Sequence, residues 1–174
     1  LSNLTQLLAR VGQYALPFFF VVSALLSAFR RAKAERLYAA AARRPDAIGQ
    51  MSWQDFEILV GEYFRHQGFS VTNNGGGGAD GGVDVVLQDG DDRFLVQCKH
   101  WRTQRVGVQP VRELYGVIAA QGVSGGFVVT SGDFTEEAVR FADGIALTLV
   151  NGNMLRHDIR AHAGSGPASA PTDL

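Results

Sequence analysis

The sequence predicts an α/β domain, a mixed sheet flanked by helices, carried behind an N-terminal transmembrane helix. Three observations predict it. Residues 11–29 hold no charge between Arg10 and Arg30. Two short runs rich in β-branched and apolar residues, 83–88 and 93–99, flank the turn around Gly90-Asp91, which is the pattern of a hairpin. Beyond the hairpin, segments with helical apolar spacing alternate with short apolar runs as far as Ile159.

Taken as a helix, residues 11–29 span about 28 Å at ~1.5 Å per residue, close to the hydrocarbon thickness of a bilayer. Gly12, Gln13, Ser23 and Ser27 dilute the stretch, and Pro17 would kink it near one end. A cleaved signal peptide and a buried amphipathic helix are the competing readings. Arg30, Arg31, Lys33 and Arg36 follow, and the positive-inside rule then puts the remainder in the cytoplasm of a bacterial-type inner membrane. Residues 1–30 are therefore read as an anchor and 31–50 as a basic helix and linker broken at Pro45. Residues 51–160 form the globular domain, and 161–174, rich in Gly, Ser, Pro and Ala, a disordered tail. The chain opens on Leu1 instead of methionine, so further sequence upstream is expected.

Within the globular part, Ser52 suits the N-cap of a helix to His66, with Phe56, Leu59, Val60, Tyr63 and Phe64 at helical spacing. A strand over 69–72 leads into the glycine-rich loop 73–78 and then into the hairpin. A helix over 108–121, a strand over 126–130, a helix over 135–142, a strand over 146–150 and a short helix over 154–159 complete the order.

Composition excludes several classes. With 46% hydrophobic and 19% charged residues, the chain has the makings of a packed core. One cysteine, Cys98, excludes an intrachain disulfide framework and any multi-cysteine zinc site. Residues 1–50 carry seven Lys/Arg against two Asp/Glu, a net of +5, and residues 51–174 carry nine against fifteen, a net of −6. An acidic domain makes a poor nonspecific DNA binder unless it concentrates positive charge locally. Lys99, His100, Arg102, Arg105 and Arg112, with Trp101 among them, form such a stretch. Phosphate contact and base stacking are its functional reading, and a solvated loop with a packed tryptophan is the alternative.

With the turn centred between Gly90 and Asp91, hairpin partners have numbers that add to 181, which sets Asp84 across from Gln97. Lys99 shares the face of Gln97 and lies diagonally from Asp84, whereas Phe94, Val96 and Cys98 point to the other face. A carboxylate and an amide oxygen suit a hard cation such as Mg²⁺ (or Mn²⁺), and a neighbouring lysine can orient a water or move a proton. An ion pair between Asp84 and Lys99 that merely closes the hairpin is the bland reading of the same spacing.

The run GADGGVDVVL…FLVQCKHW, preceded by FEILVGEYFRHQGFSV and followed by VRELYGV and GGFVVTSGDFTEEA, resembles the Mrr-like restriction endonuclease domain of the PD-(D/E)xK superfamily over residues 51–160. The resemblance implies a restriction-endonuclease-like fold, dependence on a divalent metal, and cleavage of DNA phosphodiesters, commonly by dimers. It assigns Asp84 as a metal-binding acid, Gln97 as the residue standing for the usual second acid, Lys99 as the catalytic lysine and Glu57 as a further acid presented to the metal. A neutral amide at Gln97 supplies one charge less than the superfamily's usual Asp or Glu, which Glu57 would restore. Asp80 is read as a cap on the entry to the following strand or a second-metal ligand, Glu113 as a brace for Lys99 or Arg112, Thr130 and Ser131 as strand-end hydroxyls that cap a turn or donate to phosphate, and Cys98 as core.

The functional expectation is a membrane-tethered, Mg²⁺-dependent endonuclease acting on foreign DNA. A non-cleaving DNA-binding or interaction module on the same fold, and a resolvase of branched DNA, are the rival readings.

Overall fold

The computed structural model describes residues 2–73, 82–101 and 104–164, with side chains from Pro17 onward. The glycine run 75–78, Asp80, Arg102 and the chain beyond Gly164 lie outside the described residues. Two compact units are present, residues 1–36 and residues 37–174.

A single helix, α1 (Ser2–Arg43), accounts for the described part of the first unit and continues into the second, with Pro17 inside it. Among the described residues, no helix is long and apolar enough to cross a membrane, so the expected span over 11–29 is not supported. Ser23 and Ser27 dilute the described part of that stretch, and Arg30, Arg31 and Lys33 end it.

The second unit is built on a five-stranded mixed sheet of order β1-β2-β3-β4-β5. Strands β1 (Ser70–Asn73), β2 (Val85–Asp89) and β3 (Asp92–Lys99) pair antiparallel; β4 (Gly125–Thr130) and β5 (Leu147–Val150) continue the sheet in parallel with β3. Helix α4 (Val108–Gln121) crosses from β3 to β4, and α5 (Glu136–Ala142) from β4 to β5. Helices α2 (Ala47–Gln50), α3 (Trp53–His66) and α6 (Gly152–Gly164) complete the unit.

Caps set the ends of two helices as their sequences predict: Ser52 Oγ accepts from the Asp55 N–H at 3.1 Å, and Thr135 Oγ1 from the Ala138 N–H at 3.3 Å. Two ends differ from expectation. The expected linker 45–50 contains α2, whose Ile48 is fully buried, because this apolar side chain has a core to enter. Residues 161–164, expected in the tail, belong to α6, which runs to Gly164. Asn151 Oδ1 accepts from both the Asn153 and Met154 N–H groups and so starts that helix firmly.

Each face of the sheet covers a core. Val85, Leu87, Val96, Cys98 and Val129 pack with Phe56, Leu59, Val60, Phe64, Leu155 and Ile159 on one side. Leu95 and Val128 pack with Val111, Leu114, Ile118 and Ala138 on the other. Strand β3 alternates between them, so Gln97 and Lys99 share the face of Leu95, toward α4 and α5.

Candidate active site

The β2–β3 hairpin keeps the expected register through Val85↔Val96 and Asp89↔Asp92, but the ladder ends there. Asp84 does not pair across from Gln97. Its N–H donates to the Val96 carbonyl at 2.9 Å, so Asp84 and Val85 both oppose Val96, the arrangement of a β-bulge. The pleat breaks accordingly: Val83 joins the α4/α5 core, whereas Val85 joins the α3/α6 core. With the ladder over, the Cys98 N–H has no strand carbonyl opposite, and the Asp84 carboxylate accepts it at 2.7 Å. That bond aims a buried carboxylate at the end of β3.

Glu57, on α3, meets Asp84 from the opposite layer. Burial first, then the Asp84 charge, then a proton shared with Asp84 push the Glu57 carboxyl up to about 7. Burial also raises Asp84, against the opposing effects of the Cys98 N–H, the shared Glu57 proton and the Lys99 charge. Both carboxyls are therefore raised above their ordinary range by burial, Glu57 with the Asp84 charge adding to it. The Cys98 thiol is pushed up mainly by burial, with the charges of Asp84 and Glu57 adding to it, and Cys98 is core as expected.

Gln97 is buried, and its amide lies over the backbone of Gly82, so that a Cβ built on Gly82 would collide with Gln97 Nε2. Gly82 has φ +80°, so both its conformation and its neighbour require glycine. Gln97 Oε1 and Glu57 Oε1 are buried without a hydrogen-bond partner. The Asp84 and Glu57 carboxyls and the open Gln97 amide oxygen are all oxygen donors, a chemistry that fits a hard divalent cation. Lys99 is half-buried, and its carbonyl accepts from Thr130 Oγ1 at 2.8 Å and from the Ser131 N–H at 3.3 Å. The two strand-end residues thus position the lysine's backbone.

The other expected residues disperse. His100 turns toward α2 and α3, with Nε2 2.9 Å from the Met51 carbonyl and its ring stacked on Phe56 at 5.0 Å. Arg112 lies over the Phe141 ring at 5.3 Å, tied to α5. Glu113 accepts from Gln109 Nε2 at 3.0 Å rather than bracing Lys99 or Arg112. Trp101 is exposed directly after the site strand, and Arg105 lines a separate cleft with Gln104, Asn153 and Arg156. The last three carried no local signal, because their proximity depends on three connections meeting.

The Glu57 environment predicts a pH effect on the metal-free protein. Its folded value of about 7 exceeds the ordinary 4.5, so the folded state holds an extra proton between those pH values. The stabilisation linked to Glu57 is full below pH 4.5 and is lost as pH rises through about 7. In chelator, Glu57→Gln is expected to flatten the melting temperature across this window and to exceed wild type above it. A variant that keeps the wild-type slope would refute the assignment.

Comparison with known proteins accords with this geometry. Residues 48–158 match the family model Mrr_cat, described as restriction endonuclease. The protein y4cE of Sinorhizobium fredii is 34% identical over 102 residues, covering 56% of this chain and 26% of that protein. The type IV methyl-directed restriction enzyme EcoKMrr of Escherichia coli is 31% identical over 116 residues, covering 62% of this chain and 38% of that enzyme. The chain thus spans well under half the length of either relative. The DNA modification-dependent restriction endonuclease AspBHI aligns over 76% of this chain and 36% of its own, with a TM-score of 0.52 and 20% identity, a likeness of fold alone. The family match covers more than half of the sequence, and the chain belongs to the Mrr-like restriction endonuclease family of the PD-(D/E)xK superfamily.

Proposed function

We propose that this chain is the nuclease unit of an enzyme that hydrolyses DNA phosphodiesters with a divalent cation, Mg²⁺ or Mn²⁺. One observation carries the reading: Glu57, Asp84 and Lys99 act on one another electrostatically, and Glu57 Oε1 is buried there without a partner. Asp84, Gln97 and Glu57 would hold the cation, which when bound offsets negative charge developing on the phosphate. Asp84 keeps its aim through the Cys98 N–H, and loss of the Glu57 proton restores the charge that the neutral Gln97 lacks. Lys99, half-buried beside them, orients the attacking water and holds or moves its proton.

Incubating supercoiled plasmid with the protein, with Mg²⁺ and then with excess chelator, tests the reading. Nicked or linear product that depends on the metal is expected, with linear product marking paired copies that cut both strands. Binding without any cutting would sink the proposal in favour of a non-cleaving module, and cutting confined to four-way junctions would favour a resolvase. A defensive role against foreign DNA, including methylated DNA as the name of the Escherichia coli relative suggests, predicts faster cutting of methylated than of unmethylated plasmid.

Attachment to the cytoplasmic face of a bacterial-type inner membrane belongs to the same proposal. It is supported by the exposed Phe18, Phe19, Phe20, Leu25, Leu26 and Phe29, with Arg30 and Arg31 directly after them. Fractionated cells should yield the chain with membranes, and recovery in the soluble fraction without detergent would overturn attachment.

A further inference from the structure

The carboxyl ends of the parallel strands β3, β4 and β5 open onto one cleft of about 260 Å³, bordered by Gln104, Arg105, Ser131, Asp133, Asn153 and Arg156. Crevices at this end of parallel strands are where α/β sheets receive ligands. The connection that leaves the site strand after Lys99 supplies one wall, so the cleft adjoins the candidate active site without sharing its residues.

Its chemistry is that of an anion site. Arg156 reaches a neutral partner, the Asn153 carboxamide oxygen, and among the described residues neither Arg105 nor Arg156 forms an ion pair with a carboxylate. Asp133 is the acid in the lining, and its Oδ1 accepts from the Phe134 N–H at 3.0 Å and from Asn151 Nδ2 at 3.3 Å, so two guanidinium groups stand against one carboxylate. The amino end of α6, which bears the positive end of the helix dipole, starts at the same wall.

The walls are also interlocked. A Cβ on Gly132 would stand 2.8 Å from the Trp101 carbonyl oxygen, and one on Gly152 would collide with that of Ser131. Ser131 Oγ further donates to the Trp101 carbonyl at 3.4 Å. The backbones on either side of the cleft are therefore in close contact with one another. At roughly 30 Å³ for each water-sized group, the volume accommodates a phosphodiester with several waters.

We infer that this cleft binds a backbone phosphate of the polynucleotide strand, neighbouring the one presented to Asp84 and Lys99, with Arg105 and Arg156 as its ligands. The inference rests on the reading of the chain as a DNA-cutting unit. It extends that reading to α6, whose residues the sequence left without a role.

Binding of a labelled DNA duplex in chelator, measured over a salt series, tests it with Arg105→Ala, Arg156→Ala, Arg156→Lys and the double alanine variant. Arg93→Ala, at the far end of β3, serves as the control for loss of one positive charge. Each cleft alanine is expected to weaken duplex binding about tenfold and the double variant further. The slope of log K against log salt should fall by about 1 for each phosphate that the protein no longer neutralises. Arg156→Lys should keep the slope, Arg93→Ala should bind as wild type, and all variants should melt as wild type does. Wild-type affinity in the double variant, or a wild type that retains no duplex, overturns the inference. So does stabilisation of wild type by inorganic phosphate, absent in the double variant, when duplex affinity is the same in both; the cleft would then serve a free phosphate. A wild type that binds duplex through these arginines but never cuts overturns the nuclease reading and leaves this one standing.

Discussion

Asp84→Ala is expected to lower metal-dependent DNA cleavage by about 10³-fold or more, the scale on which removal of one preorganised electrostatic group acts. The residue has two tasks that separate substitutions can distinguish. Its carboxylate satisfies the buried Cys98 N–H, and its charge faces Glu57 and Lys99. Alanine removes both and leaves an orphaned N–H, at about 1–3 kcal/mol of stability. Asparagine keeps an acceptor for Cys98 but removes the charge. Cleavage lost in both variants, with the melting temperature preserved in Asp84→Asn, would assign the effect to charge. Lys99→Ala should cost about 10²–10⁴-fold, the range for a positioned proton-transfer group, with duplex binding less affected. Initial nicking rates at saturating metal decide the matter, and variants that cut at the wild-type rate would remove Asp84 and Lys99 from the chemistry.

Phe64→Ala should have the largest effect on stability, about 3–5 kcal/mol. Its side chain is 1% exposed and lies at the centre of an aromatic cluster, with ring centroids 4.8 Å from Phe127, 5.0 Å from Tyr63 and 5.8 Å from Phe69. Truncation leaves a cavity beneath a sheet surface that a rigid frame of rings cannot collapse to fill. Against a typical total stability of about 5–15 kcal/mol, this represents a drop in melting temperature on the order of 10–20 °C. Phe20→Ala, at a side chain 75% exposed, should leave the melt unchanged. Parallel thermal melts of the two variants check the prediction, and equal melting temperatures would refute the role given to the cluster.

Because Glu57 and Phe64 lie on the same helix, the core and the candidate site are linked through α3. Phe64 and its neighbours press the helix against the sheet, and Glu57 meets Asp84 only while the helix stays there. Phe64→Ala should therefore also reduce cleavage at temperatures below its melt.

By itself the sequence determined what local patterns can carry. The hairpin register followed from the turn at Gly90-Asp91, because a period of two leaves one pairing once a turn is placed. The helices over 53–66 and 108–121 followed from apolar spacing, the first also from its Ser52 cap, and the family from the order of its motifs. Tertiary structure decided what depends on departures from regularity and on distant segments meeting. The bulge at Asp84 re-aimed its carboxylate to the Cys98 N–H, something no strict alternation predicts. The burial of Ile48 drew a helix out of an expected linker. His100, Arg105 and Arg112, close in sequence, went to the Phe56 ring, the cleft and the Phe141 ring, respectively. A side chain's partner is set by the surface that packing places against it, and neighbours along a chain need not share one.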